Sequence, residues 1–231
     1  MRLKRDKKFT SYNKEYLAQK FFTCKNKVFV VNSTQVRTLS EILDNYNTKT
    51  IIMIIKNIIQ IGNPLLSQKS KFVKDIDSKE TQRVIDNLID STRYHKLIGM
   101  AASQIGEKLR IFVTEVRKTP YRNPKDIDKL RIYINPKIVW YSKNEIVEYE
   151  GCGSVAYAKL FAPVKRPEKI IIEAVDEKNN KFRFKASGLL SRVIQHEYDH
   201  LDGKEFIEKI TDIKKMMSSE EYIKRIVLRN K

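Results

Sequence analysis

Cysteine is nearly missing from this chain of 231 residues: only Cys24 and Cys152 occur. Two thiols are too few for a disulfide framework, and the basic N-terminus lacks the continuous apolar stretch of a secretory signal. A reducing compartment is therefore expected, the cytoplasm of a bacterium or an organelle matrix, where a free thiolate can serve as a metal ligand. Long apolar runs are missing too. The densest, Ile51-Ile52-Met53-Ile54-Ile55, stops at Lys56 and reads as a strand, well short of the roughly 18 residues a spanning helix needs. No membrane association is expected. Neither an internal repeat nor a low-complexity tract occurs. Acids are scarce beside bases, 28 Asp+Glu against 46 Lys+Arg, which leaves a net charge of +18. Such a balance favours anionic surroundings, nucleic acid included. The charge is spread along a chain rich in Lys, Asn and Ile, however, and a general compositional bias accounts for it equally well. Histidine occurs only three times.

What is present suits one sizeable core, with 41% hydrophobic residues, ten Phe and eleven Tyr. Residues 1–53 are polar and basic, patterned only by a short helical stretch at Leu39–Tyr46. They read as a flexible extension or as sequence upstream of a start at Met53. Residues 54–231 read as the folded domain. A strand-like segment, Ile54–Ile61, meets the turn signal Gly62-Asn63-Pro64. Asp77, with Glu80 three residues on, predicts a capped helix whose Val84, Ile85, Leu88 and Ile89 share a face, ending near His95. Strands are expected at Arg110–Val116 and Arg131–Trp140, and a hairpin at Lys169–Asp176 and Lys181–Ala186. Ser187 is placed to cap a following helix. A last helix runs from Ser219 to Arg229. The expected fold class is α+β: short antiparallel sheets around one central buried helix, with a C-terminal helix.

That central helix carries the chemistry. In Gln195-His196-Glu197-Tyr198-Asp199-His200-Leu201-Asp202-Gly203, the two histidines lie one turn apart on one face, so both imidazoles can reach one cation. Glu197 is free to act on a water held by that cation. Gly203 stands where a helix C-terminus is expected. A plain surface pair of histidines is the bland alternative. A catalytic metal needs a third protein ligand and one open position. Cys24 falls in the unpatterned extension, and His95 ends a charged helix between Arg93 and Lys96. Cys152 stands between Gly151 and Gly153, which let the backbone approach a ligand closely. It is the favoured third ligand, with an inert buried thiol as the alternative.

Three blocks occur in order: Gly99-Met100-Ala101-Ala102-Ser103-Gln104, Glu150-Gly151-Cys152-Gly153-Ser154, and the His196–His200 segment. Together they resemble the motifs of peptide deformylases, and Ile58-Ile59-Gln60-Ile61-Gly62-Asn63-Pro64 resembles that family's first strand and turn. The resemblance covers about Ile54 to Lys215. It implies that Cys152, His196 and His200 hold a divalent metal, ferrous iron first and zinc, nickel or cobalt as alternatives. It implies Glu197 as the proton carrier, with Gln104 and the Gly153 N–H facing the oxyanion that forms on the formyl group. The implied substrates are nascent formyl-Met peptides, hydrolysed to formate and a free N-terminus. The ribosome is an implied partner through the C-terminal helix, and no other protein partner is expected. Arg166 resembles a family arginine that contacts the substrate backbone, a surface charge being the alternative. Gly99 is expected beside the substrate, and Ile98, Leu189 and Val193 around the methionine side chain, unless they are plain core. Asp199 is a candidate to orient a histidine through its ring N–H, a solvated helix carboxylate being the equal alternative. Two departures stand out: Leu97 where the family usually has Gly, and Gly153 where it usually has Leu. The competing readings are a zinc amide hydrolase acting on peptide bonds, and a catalytically weak relative that binds ribosomal RNA.

Overall fold

The computed structural model describes residues 28–32, 51–120 and 122–229. The chain divides into two compact units, Met1–Ile55 and Lys56–Lys231. In the first, β1 (Val28–Asn32) pairs in parallel with β2 (Ile51–Ile55). Cys24 and the expected Leu39–Tyr46 helix lie outside the described residues. The strand expected at Ile54–Ile61 ends at Ile55. Beyond it the chain is held by single hydrogen bonds, Ile59 N–H to Gln104 O at 2.8 Å and Ile61 N–H to Ser154 O at 2.8 Å. These tie the segment to the two motif loops instead of to a sheet edge.

The second unit begins with α1 (Lys79–Tyr94). Its N-cap is Ser78 and not Asp77: the Ser78 hydroxyl accepts from the Thr81 N–H at 3.2 Å, and the helix ends at His95 as its pattern predicts. Val84, Ile85 and Leu88 of α1 pack against Met100, Ile111, Val113, Ile132 and Ile134. Those partners belong to β3 (Gly99–Ala101), β4 (Ile111–Thr114) and β5 (Arg131–Tyr141). With β8 (Lys169–Val175) and β9 (Lys181–Ser187) they form a five-stranded antiparallel sheet in the order β3-β4-β5-β8-β9. The expected β8–β9 hairpin is present, closed by the Asp176 N–H to Asn180 O bond at 3.0 Å.

A smaller sheet has the order β10-β7-β6, from β6 (Glu145–Glu150), β7 (Leu160–Pro167) and β10 (Met217–Ser218). Helix α2 (Gly188–Leu201) is shared between the two sheets. Its Ile194 and Leu201 join Phe112, Tyr133, Ile170 and Ile172 of the larger sheet. The opposite side of α2 meets the small-sheet layer, where Cys152 packs with Val155, Ala162, Val164 and Phe206. Ser187 occupies the N-cap of α2, but its side chain makes no capping hydrogen bond. Gly203 just past the helix has φ +70°, and a Cβ there would fall 2.7 Å from Ser67 O, so conformation and close approach both require glycine. The last helix is shorter than its pattern predicts. It runs as α3 (Ser219–Tyr222), then widens into a π-turn at Ile223–Val227. Tyr222 anchors it by stacking on Phe161, with ring centroids 4.1 Å apart.

Candidate metal centre

The architecture brings the thiol from one layer to the imidazoles of another. Cys152 follows β6 by two residues, while His196 and His200 project from α2. Cys152 Sγ lies 3.2 Å from His200 Nε2, and one ligand atom from each of the three residues falls within 4.8 Å of the others. Donors about 2.0–2.3 Å from a tetrahedral cation sit roughly 3.3–3.8 Å from one another. The sulfur and two ring nitrogens would therefore fit a divalent ion with modest adjustment. Both imidazoles have a carboxylate behind them, as metal-ligating histidines usually do, hydrogen-bonded at His196 and at ion-pair distance without a well-formed hydrogen bond at His200. His196 Nδ1 is 3.0 Å from Glu150 Oε2, and His200 Nδ1 is 3.3 Å from Glu205 Oε1.

Glu150 is itself embedded. It accepts two bonds from Arg166, at 2.6 and 2.8 Å, and one from Arg192 at 2.7 Å. Arg166 reaches on to Asp199 at 2.7 Å, and Asp199 takes Lys209 at 2.8 Å. Two expectations change here. Arg166 is 2% exposed, so it is neither a surface charge nor a cleft residue; its guanidinium is consumed in fixing Glu150. Asp199 faces Arg166 and Lys209, and no histidine. The orienting carboxylates are Glu150 and Glu205. Arg192 could have been found from sequence, since it precedes His196 by one helical turn on the same face. Glu205 gave no such signal. His95 bonds Lys56 O at 3.0 Å and takes no part in the centre.

Electrostatics bind these groups into one titrating set. Burial pushes the Cys152 thiol up, but His200 and His196 more than offset it and hold the thiol at about 6. Burial pushes the His196 imidazole down, and the hydrogen bonds to Cys152 and Glu150 reverse this, raising it to about 10. The thiolate thus attracts protons to the same nitrogens that would ligate a cation, so protons and metal compete for one site. Burial also raises Glu150, yet Arg166 and His196 hold it well below the usual carboxylate range. Glu197 differs: burial raises it to about 7 against the two imidazoles, and its Oε2 has no hydrogen-bond partner. A buried carboxylate of that kind, beside the metal donors, is poised to exchange a proton near neutral pH.

The remaining motif residues converge on the same cleft, lined by Leu97, Ile98, Gly99, Gln104, Gly153, Leu189, Val193 and Glu197 among others. Gln104 closes a short helical turn through its Oε1, which accepts the Ala101 N–H at 2.9 Å. Its Nε2 is thereby aimed at Cys152 Sγ, 3.4 Å away, and at Ser154 Oγ, 3.3 Å away. The Gly153 carbonyl accepts from Gln60 at 2.9 Å, while its N–H has no partner among the described residues. Gly99 is a close-approach glycine: a Cβ would fall 2.6 Å from Glu197 Oε1 and 2.7 Å from Val193 Cγ1. The departures at 97 and 153 are spatially coupled. A Cβ on residue 153 would lie 3.0 Å from Leu97 Cδ1 and 3.0 Å from Ile58 Cδ1, so Leu97 holds space a side chain at 153 would need.

A family model described as polypeptide deformylase matches residues 55–216. The chain is 40% identical to a peptide deformylase of Dictyoglomus turgidum over 149 residues, 64% of this chain and 88% of the relative. It is 37% identical to one from Dictyoglomus thermophilum over 158 residues, 68% of this chain and 94% of that one. The crystal structure of peptide deformylase from Ehrlichia chaffeensis superposes with a TM-score of 0.62 at 26% identity, covering 77% of this chain and 97% of that one. The chain belongs to the peptide deformylase family, metal-dependent hydrolases that remove the formyl group from nascent polypeptides.

Proposed function

We propose that deformylation takes place at the Cys152–His196–His200 centre, with Glu197 as the proton carrier. The carrying observation is the meeting of sulfur and imidazole at 3.2 Å with a buried, unpartnered carboxylate oxygen alongside. Cys152, His196 and His200 would hold a divalent cation, which when bound would supply Lewis acidity and lower the pKa of water there from 15.7 toward about 7. Glu197 takes the proton from the attacking water and returns it to the departing amine as the C–N bond breaks. The Gln104 Nε2 and the Gly153 N–H donate to the formyl oxygen as negative charge builds on it. Leu189, Val193 and Ile98 form the apolar wall for the methionine side chain, and Gly99 gives the peptide backbone room to lie beside β3.

Ferrous iron is the favoured cation, with zinc, nickel and cobalt accepted by the same donors. A thiolate beside ferrous iron is open to oxidation, so the iron form should lose activity in air while the nickel form keeps it. Equal survival of the two would remove the iron assignment. The protein acts on formyl-Met peptides where translation begins with formylmethionine, in a bacterial cytoplasm or an organelle matrix. Lys224 and Arg229, exposed beyond α3, are the groups to offer a ribosome, and salt-dependent co-sedimentation measures that contact. The deciding experiment is anaerobic formate release from formyl-Met-Ala-Ser. Glu197→Gln should cut turnover by about 10²–10⁴-fold, and Gln104→Ala by about 10²–10³-fold, with metal content preserved. Full turnover in a metal-loaded Glu197→Gln protein would overturn the assignment.

A further inference from the structure

Beyond the centre, the cleft continues past Arg122. This residue comes from the loop joining β4 to β5 and lines the cleft together with Cys152, His196 and Glu197. Its guanidinium donates to Tyr149 O at 2.9 Å and to Tyr222 Oη at 3.2 Å, and lies over the Tyr222 ring at 5.9 Å from its centroid. It is held in place by neutral groups and has no carboxylate partner among the described residues. The same arginine borders two further grooves: one on the Val147–Tyr149 side, whose Glu148 is paired with Arg192, and one that runs toward Lys96. One wall of that groove carries Lys96, Arg117 and Lys118, and the other is the apolar side of the last turn, Ile223, Val227 and Leu228.

The charges along this path do not cancel. Arg117 is committed to Glu115 at 3.0 Å and to the Leu97 carbonyl at 3.0 Å. Lys96 and Lys118 are exposed and, like Arg122, have no carboxylate partner among the described residues. Among the described residues, no acidic side chain lines the groove. Within the cleft itself, Glu150 is spent on Arg166 and Arg192, and Glu197 is buried. A chain leaving the cleft beside Arg122 therefore meets three uncompensated cations facing an apolar strip.

We infer that this groove receives the segment of the formylated peptide that follows the methionine, and that it selects peptides with an acidic side chain there. The inference rests on the deformylase reading of the centre. Opposite charge at close range favours an Asp or Glu of the substrate, and the same cations disfavour Lys or Arg. Exposed pairs are individually weak, so the discrimination is a modest ratio and sensitive to salt.

Two measurements test it on the metal-loaded protein. Amide-capped formyl-Met-Ala peptides bearing Asp or Lys at the third, fourth or fifth residue are compared by formate release. Fluorescein-labelled versions are compared by anisotropy. In the best register, kcat/KM and affinity should favour Asp over Lys by about fivefold at low salt, with the difference carried in KM and the ratio falling toward one near molar salt. Lys96→Glu/Lys118→Glu, two exposed substitutions, should reverse the preference. An Asp-to-Lys ratio of one in all three registers, or a ratio the double variant leaves unchanged, would overturn the groove. If no peptide released formate while Asp peptides still bound more tightly, the groove would stand and the deformylase reading would fall.

Discussion

The two imidazoles of the proposed metal site are braced in opposite ways. Behind His196, Glu150 is clasped by Arg166 and Arg192, and the chain of pairs extends through Asp199 to Lys209. Behind His200 stands Glu205, 6% exposed, whose Oε1 makes no well-formed hydrogen bond and which has no Lys or Arg partner among the described residues. One carboxylate is fixed by the fold whether or not metal is present. The other has the His200 imidazole at one oxygen and the Cys152 thiol, 4.0 Å away, at the other, and is best placed when the imidazole donates from Nδ1. If the proposed centre holds its cation, the first brace serves folding and the second metal binding.

The sharpest way to break this contrast is to remove one cation from the first brace. Arg166→Met leaves Glu150 and Asp199 buried with their main partner gone. Losing one member of a buried pair costs about 3–5 kcal/mol. Urea denaturation of the metal-free protein should show that loss, and a change under about 1 kcal/mol would mean Arg192 alone can carry Glu150. The second brace should respond differently. Glu205→Gln is expected to change metal-free stability little and to weaken metal binding by about 10–100-fold in chelator competition. A Glu205→Gln protein with parental metal affinity would show His200 to be oriented by packing alone. Reversed outcomes for the two variants would invert the comparison.

This division was only partly legible in the sequence. The meeting of Cys152, His196 and His200 was, because spacing carries much of it: the two histidines are one turn apart on any helix, and Cys152 lies between two glycines. The α+β plan followed from periodicities of 3.6 and 2 in segments bounded by clear turn signals. Arg166 was misread because its function lies in a partner across the sheet. In β7 it faces inward and meets Glu150 from the neighbouring strand, and no local pattern distinguishes that arginine from a solvated one. Asp199 failed for a related reason: adjacency to His200 in sequence places it on a different helical face, toward Lys209. Leu97 and Gly153 looked like two separate losses. In space they are a single exchange, with the Leu97 side chain beside the site where residue 153 has none.

The smallest expected difference between the braces is in their response to acid. Glu150 is held well below the usual carboxylate range, by Arg166 and His196 against the cost of burial. A group depressed in the folded state stabilises the fold fully above its unfolded value near 4.3, and that contribution is lost as pH falls through the folded value. Metal-free protein should therefore hold its Glu150 contribution from neutrality down to about pH 4.3 and surrender it below. Glu150→Gln starts from lower stability and should lose less on the same descent, because the variant has no carboxylate to protonate there. Parallel acid limbs for the parent and Glu150→Gln would show that the arginine clasp is not what protons undo, and that the loss lies with the carboxylates of the surface.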